Sequence, residues 1–438
     1  MEKKKFIKTI LLGLLMLGAN HEASAQVFDA VVAKDGTGNF STVQDAINAA
    51  PDSAATPWLI LVKNGEYDEL VDIPAQKTHI HLIGQDPLKT IIKHTIHCGS
   101  EDDVFFRYSV NNSASPNYKR HSVFEVAAPD FYSENITFQN TYGTSRQSGP
   151  QALAMRTMGD RQAFSNCRFR SFQDTWFTVT DDHVRQYARD CWIEGAVDYL
   201  FGGGNILVER STFYNVRSGS VITAPRHVAA PYGYVFRDCV VDGNAQAADG
   251  HQKLGRPWHD NPITVYINTT MRIPIAPEGW SDMGTIPQLF AEYGSKDKDG
   301  HPIDLSKRKD NYTFTRKDKS ETGIVSEEKV SGRCPTSISR EEADRYTYEN
   351  IISAADGWNP RQYMESLPAP THIKMSKSGT LRWKPVKGAI GYLVINSRDH
   401  IVAISSKCVA EVAASDQSYT VRAVSRYGHL GTPALIHI

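Results

Sequence analysis

The chain has 438 residues, of which 40% are hydrophobic and 22% charged, and its formal net charge is −1. That length allows two or more domains, and the composition is that of an ordinary folded protein. No basic excess invites nucleic acid, no apolar run is long enough to span a membrane, and a polyanionic partner would have to be met by local positive charge.

Residues 1–25 read as a secretory signal. Lys3, Lys4, Lys5 and Lys8 make a basic start, Ile10 to Leu17 an apolar core, and Ala23-Ser24-Ala25 a small-residue cleavage site. The expectation is an exported protein, periplasmic or secreted after cleavage near Ala25, with a net charge near −3 once the four lysines and two glutamates of this segment are gone. The cluster Asp35-Gly36-Thr37-Gly38-Asn39-Phe40 predicts a turn. Ser41-Thr42-Val43-Gln44 fits a capping box, and Val43, Ala46, Ile47 and Ala50 share one apolar face before Pro51. A short helix here would cover the end of a stack of strands whose edges are otherwise unpaired. Strand-like runs follow at Trp58 to Val62, His79 to Ile83 and Val123 to Val126.

The stretch from Gln151 to Asn205 carries the strongest regularity. Gln151 lies 22 residues before Gln173, and Asp174 lies 24 before Asp198. Asn166-Cys167-Arg168-Phe169 is echoed 24 residues later by Asp190-Cys191-Trp192-Ile193. The same cadence recurs at Asn135 to Phe138, Arg210 to Phe213 and Asp238 to Val241. Self-similarity at such a period marks a solenoid. With strands and no helical pattern inside the repeat, the solenoid is a parallel β-helix whose coils stack about 4.8 Å apart. Stacking makes neighbours of residues one coil apart, so Asp174 faces Asp198 with the two glutamines beside them. Two close carboxylates drive their pKa values apart, leaving one ionised as nucleophile and one protonated as general acid/base. Neutral amide donors beside them suit an oxyanion. Of the six cysteines, Cys167 and Cys191 occupy equivalent positions one repeat apart, either as a disulfide or as buried free thiols in an inner ladder.

Gly255-Arg256-Pro257-Trp258 interrupts the pattern. An arginine that holds one carboxylate as an anion accounts for Arg256, and Trp258 offers a flat apolar face on which a sugar can stack. From Ser295 to Gly332 the chain turns polar, which predicts a long exposed insertion over about 296–333. Ser339-Arg340-Glu341-Glu342 fits a second capping box, opening a helix to about Ile352. Leu367-Pro368-Ala369-Pro370 reads as a linker. Beyond it, Leu381-Arg382-Trp383, Gly391 to Val394 and Tyr419 to Val424 resemble the strands of a fibronectin type III module, a small β-sandwich. The predicted organisation is a leader over 1–25, an all-β catalytic domain over 26–366 with short capping helices, and a β-sandwich over 367–438.

Five motifs in order, QALAMR, GDRQAF, FQDTWF, GAVDYLFG and LGRPW, resemble the successive signatures of the pectin methylesterase (pectinesterase) family, across roughly residues 27–361. The resemblance implies a right-handed parallel β-helix that removes methyl esters from methylated homogalacturonan, giving pectate and methanol. It implies Asp198 as nucleophile, Asp174 as general acid/base, Gln151 and Gln173 as oxyanion donors, and Arg256 as the partner that keeps Asp198 ionised. Tyr199, Phe201, Trp176 and Trp258 are the expected sugar-contacting walls. Family members often carry a further cysteine where this chain has Ser211. No metal or organic cofactor is expected, pectin is the expected partner, and the expected state is a monomer.

Other signals carry less. His94 and His97 point to opposite faces of a strand, so they do not share an ion. Gly202-Gly203-Gly204 lacks the Lys-Ser/Thr of a phosphate loop and is expected to turn the backbone beside Asp198. No G-x-S-x-G elbow offers a serine nucleophile. Two alternatives remain. One is a pectate lyase-like protein, which would use Ca²⁺ and an arginine base, though no acidic Ca²⁺ cluster stands out. The other is a non-catalytic carbohydrate-binding β-helix protein.

Overall fold

A computed structural model describes residues 26–100, 122–320 and 323–438, so the leader expected over 1–25 lies outside the described residues. Three parallel sheets, the first of ten strands, the second of nine and the third of eight, run side by side through residues 30–297. Each coil gives one strand to each sheet. Gln162–Ser165, Arg168–Arg170 and Trp176–Thr178 make one coil, and Arg185–Arg189, Trp192–Gly195 and Val197–Gly202 make the next. This is the parallel β-helix that the repeat predicts, and its interior is built from ladders. Phe138, Phe169, Ile193, Phe213, Val241 and Met271 stand in register down the second sheet, all buried.

The repeated cadence has a backbone cause. Asn135, Asn166, Asp190, Arg210, Asp238 and Asn268 sit at the same bend between the first and second sheets, and all have φ between 48° and 57°. Asn and Asp tolerate this left-handed region better than most residues. Their side chains bond along the stack, with Asn166 Nδ2 donating to Asn135 Oδ1 at 2.7 Å and Arg210 Nε to Asp190 Oδ1 at 2.9 Å. The residue after each bend turns inward. This puts Cys167, Cys191 and Cys239 in the interior as free thiols. The disulfide alternative for Cys167 and Cys191 is therefore corrected. Stacked coils set their side chains parallel at the strand spacing, wider than the Cβ separation a disulfide uses. Each sulfur instead donates to a carbonyl, Cys167 to Ser133 O at 3.5 Å and Cys191 to Arg189 O at 3.4 Å.

The N-terminal end is closed by the helix Val43–Asn48, with Val43, Ala46 and Ile47 buried. Its cap lies one residue later than the sequence suggests: Thr42 accepts from Asp45 N, while Gln44 reaches across to Asp72. The polar insertion is more ordered than its composition implies. Asn311–Ser320 and Gly323–Arg333 pair as an antiparallel ribbon whose base is anchored by buried Tyr312 against Phe290. Arg308, just before it, donates to Glu292 Oε1 at 2.7 Å and to the carbonyls of Ala276 and Pro277 at 3.0 Å. The helix expected over 339–352 is two pieces. Ser339 and Glu342 form a capping box on Arg340–Ala343, and a second helical turn covers Glu349–Ser353. Between them Tyr346 and Tyr348 turn onto the first sheet, beside Tyr232 and Tyr187.

Residues 374–437 form two antiparallel sheets. Lys374–Met375, Thr380–Arg382 and Val409–Glu411 make one, and Ala389–Asn396, Ile401–Ser405, Ser418–Ser425 and Ala434–His437 the other. Alternation along Ala389–Asn396 gives the larger sheet two apolar faces. Tyr392 and Val394 meet Leu381, Trp383 and Val421 between the sheets. Leu393 and Ile395, with Ile401, Val424 and Leu430, pack instead on Leu59, Leu61, Ile83 and Tyr132 of the first β-helix sheet. His81 Nδ1 to Tyr427 O (2.9 Å) and His429 Nδ1 to Glu134 Oε2 (2.7 Å) tie the same contact.

Candidate active site

The third sheet carries the polar residues singled out from the sequence. Its register runs Met155, Trp176, Leu200, Thr223, Gly255 across adjacent strands. Gln173 pairs with Val197 in an isolated bridge, so Asp174 and Asp198 are cross-rung neighbours, and Asp174 N donates to Val197 O at 2.9 Å. Gln151 stands at the entry to strand Leu153–Thr157, next to Ala152, whose N donates to Gln173 O at 3.2 Å. Arg256 follows strand Lys253–Gly255 and is held by Arg256 N to Thr223 O at 2.9 Å. Gln151, Gln173, Asp174 and Asp198 thus lie at the N-terminal ends of three adjacent strands, and Arg256, which follows a fourth, reaches back to Asp198.

Local backbone geometry aims the two acids. The pairing of Val197–Gly202 with Val221–His227 slips between Val197 and Leu200, a bulge that sets Asp198 and Tyr199 against the single residue Ile222. Bulges re-aim side chains in this way. Asp198 has φ 48° and Asp174 φ 61°, both left-handed. The bulge needs a small neighbour: a Cβ on Gly195 would lie 2.3 Å from that of Tyr199. Further along, Gly202 has φ 112°, and a Cβ there would lie 1.9 Å from Thr178 O, so the glycine run does turn the chain tightly after Asp198.

Electrostatics separates the two carboxyls. Arg256 grips Asp198 as a fork, Nε to Oδ1 at 2.8 Å and Nη2 to Oδ2 at 2.6 Å. Burial raises the Asp198 pKa, and this pair pulls it back toward the anion. Burial lifts the Asp174 carboxyl well above the usual carboxylate range, the Asp198 charge lifts it further, and Arg256 offsets only part. One acid is set up to hold a charge and the other to hold a proton. That is the division of labour acid–base chemistry requires of a carboxylate pair.

The aromatic expectations divide. Phe201 and Trp258 form an outward apolar cluster with Phe177, Leu153 and Ala224, the Phe201 and Trp258 rings 5.8 Å apart and edge-on. Trp176 and Tyr199 do not face outward and are corrected here. Both are fully buried inside the coil, Trp176 stacked 4.4 Å from Phe169 and Tyr199 OH donating to Asn215 Oδ1 at 3.3 Å. Alternation along a strand sends neighbours to opposite faces, so an inward Trp176 makes Phe177 the outward residue. Phe177 and the Arg156 guanidinium 4.6 Å from its ring escaped the sequence reading. Elsewhere, His94 pairs with Asp68 while His97 packs on Tyr142. Among the described residues, one group of three metal-type ligands gathers, Asp297, Asp299 and His301, at a turn beyond the second sheet, a face other than the one bearing Asp198.

The chain is similar to known proteins. Residues 29–323 match the Pectinesterase family. Pectinesterase 31 of Arabidopsis thaliana is 33% identical over 254 residues, 58% of this chain and 76% of that protein. A pectinesterase/pectinesterase inhibitor of Prunus persica is 32% identical over 289 residues, 62% of this chain and 51% of its own. The chain spans about half the length, or less, of most of the plant relatives it matches. The solved structure of a pectin methylesterase from carrot superposes with a TM-score of 0.61 at 25% identity, covering 78% of this chain and 97% of that one.

Proposed function

The chain belongs to the pectinesterase family, and from that membership and the disposition of its acids we propose that it hydrolyses the methyl esters of pectin, releasing methanol and leaving free galacturonate. The observation that carries the reading is the unequal pair: Asp198 forked by Arg256, and Asp174 beside it with a strongly raised pKa. The Asp198 carboxylate attacks the C6 carbonyl carbon of a methyl-galacturonate unit. The carbonyl oxygen becomes an oxyanion, and the side-chain amides of Gln151 and Gln173 donate to it. Each such donor is typically worth about 3 kcal/mol of barrier. Collapse breaks the bond to methoxide, and Asp174 gives its proton to the departing oxygen, which leaves as methanol. The product on the protein is an anhydride between Asp198 and the sugar carboxyl. Water then attacks that carboxyl carbon, and Asp174, now a carboxylate, takes the water's proton. Asp198 is released as the anion and the sugar as its free acid.

Phe201, Trp258 and Phe177 give the apolar wall on which the sugar rings lie. The basic, apolar and small-residue pattern of residues 1–25 supports action outside the cytoplasm. The test is methanol release from methylated pectin. Asp198→Ala and Asp174→Ala each abolish it with an unchanged circular dichroism spectrum; near-wild-type release in either removes that residue from its role.

A further inference from the structure

Charge is divided unequally along the chain. Residues 367–438 carry nine lysines and arginines against three acidic residues, a net of +6, while residues 26–366 carry 35 against 44, a net of −9. Such asymmetry between parts of one chain points to an anionic partner for the basic part. Three of the nine are occupied at home. Arg398 pairs with Asp416, Arg422 donates to the carbonyls of Leu430 and Gly431, and Arg426 lies over Tyr427.

The smaller sheet collects several of the others. With the larger sheet packed on the β-helix, the smaller one is the outermost layer. Leu381 and Trp383 turn inward, so Arg382 and Lys384 turn out, and both are exposed. Lys374 pairs directly across the strands with Arg382. Like charges placed opposite each other disfavour a sheet. Among the described residues Lys374, Arg382 and Lys384 make no ion pair that would offset this. These three and His372 line an open cleft of about 340 Å³, with an edge of Trp383 also reaching it. Glu411 stands diagonal to Arg382 but accepts from Thr380 instead. A local arrangement that works against the fold, with no ion pair to compensate it, is expected where a ligand supplies the missing charge.

We propose that this cleft binds a polyuronate chain, the carboxylates of de-esterified galacturonan meeting Lys374, Arg382 and Lys384. The proposal rests on the reading that the enzyme acts on pectin. Each ester cleaved turns a neutral unit into an anion, so the cleft binds product stretches and holds the enzyme on polymer it has already processed. An acidic catalytic domain would otherwise be repelled by that product.

The test uses the full chain and the variant K374S/R382S/K384S, whose substitutions are all on the surface. Titration with polygalacturonate at low salt is expected to show binding about tenfold weaker in the variant, as loss of three exposed ion pairs implies. High salt is expected to erase the difference. Methanol release from short methylated oligogalacturonides is expected to be equal. Equal affinity of the two proteins for polygalacturonate overturns the proposal. So does equally tight wild-type binding of poly-L-glutamate, which has the carboxylates without the sugar rings. Should the wild type release no methanol yet keep the affinity difference, the esterase reading falls and the binding site stands.

Discussion

Asp174 and Asp198 share a backbone conformation as well as a face: both are left-handed, one coil apart, and only Asp198 is clamped by an arginine. Asp174 therefore holds its proton more tightly in the folded protein than in the unfolded chain. Between an unfolded pKa of about 3.9 and the raised folded value, the folded state binds more protons, so its stability falls as pH rises through that window. Asp174→Asn has no such proton to lose. Its Tm is expected to match that of the wild type near pH 3 and to exceed it increasingly above about pH 4. A constant Tm difference across that range, measured by calorimetry, would mean that the Asp174 pKa is not raised.

Removing the clamp acts on the other acid. In Arg256→Ala, burial works on Asp198 without opposition and its pKa rises. The acid limb of the kcat–pH profile is expected to move to higher pH, with a loss of about tenfold at the wild-type optimum for each unit by which the Asp198 pKa rises past it. Arg256→Lys restores a charge but not the fork and is expected to recover only part. An unmoved acid limb would show that Asp198 is kept ionised by something else.

Trp176 and Trp258 are expected to fail in different ways. Trp176→Ala empties a fully buried site stacked on Phe169, at a cost of about 3–5 kcal/mol measured by urea unfolding. Trp258→Ala leaves the coil interior intact and is expected to raise KM for pectin with little change in unfolding free energy. Phe177→Ala is expected to resemble Trp258→Ala. A Trp258→Ala variant as unstable as Trp176→Ala would reclassify the outward cluster as packing.

The contrast between those two tryptophans also marks how far the sequence was legible. The spacing of Asp174 and Asp198 announced the coil, because a solenoid converts period into proximity. The motif FQDTWF did not say which of Trp176 and Phe177 faces in. A strand of three residues carries too little alternation to decide, and the inward choice depends on stacking with Phe169 in the neighbouring sheet. Tyr199 misled for a related reason, since the bulge at Asp198 shifts the alternation by one. Composition marked residues 311–333 as exposed without showing their form, a ribbon fastened at its base by Tyr312 and by the Arg308–Glu292 pair just before it.

That pair gives a test of its own. Arg308 and Glu292 are both buried, and Arg308→Met leaves a carboxylate with no compensating charge. The expected loss is about 3–5 kcal/mol in chemical denaturation, with most of it regained in the double variant R308M/E292Q. Failure of the double variant to recover would mean that the bonds from Arg308 to Ala276 and Pro277, not its charge, hold the insertion.

The contact of Leu393, Ile395 and Val424 with Leu59, Ile83 and Tyr132 has a practical corollary. A shortened chain ending at residue 366 would not be a leaner version but a sticky one, with an oily flank open to water over Leu59, Leu61, Ile83 and Tyr132 of its first sheet. Anyone trimming this protein for crystallisation or industrial use would do better to replace those leucines and isoleucines first, or to leave the tail in place.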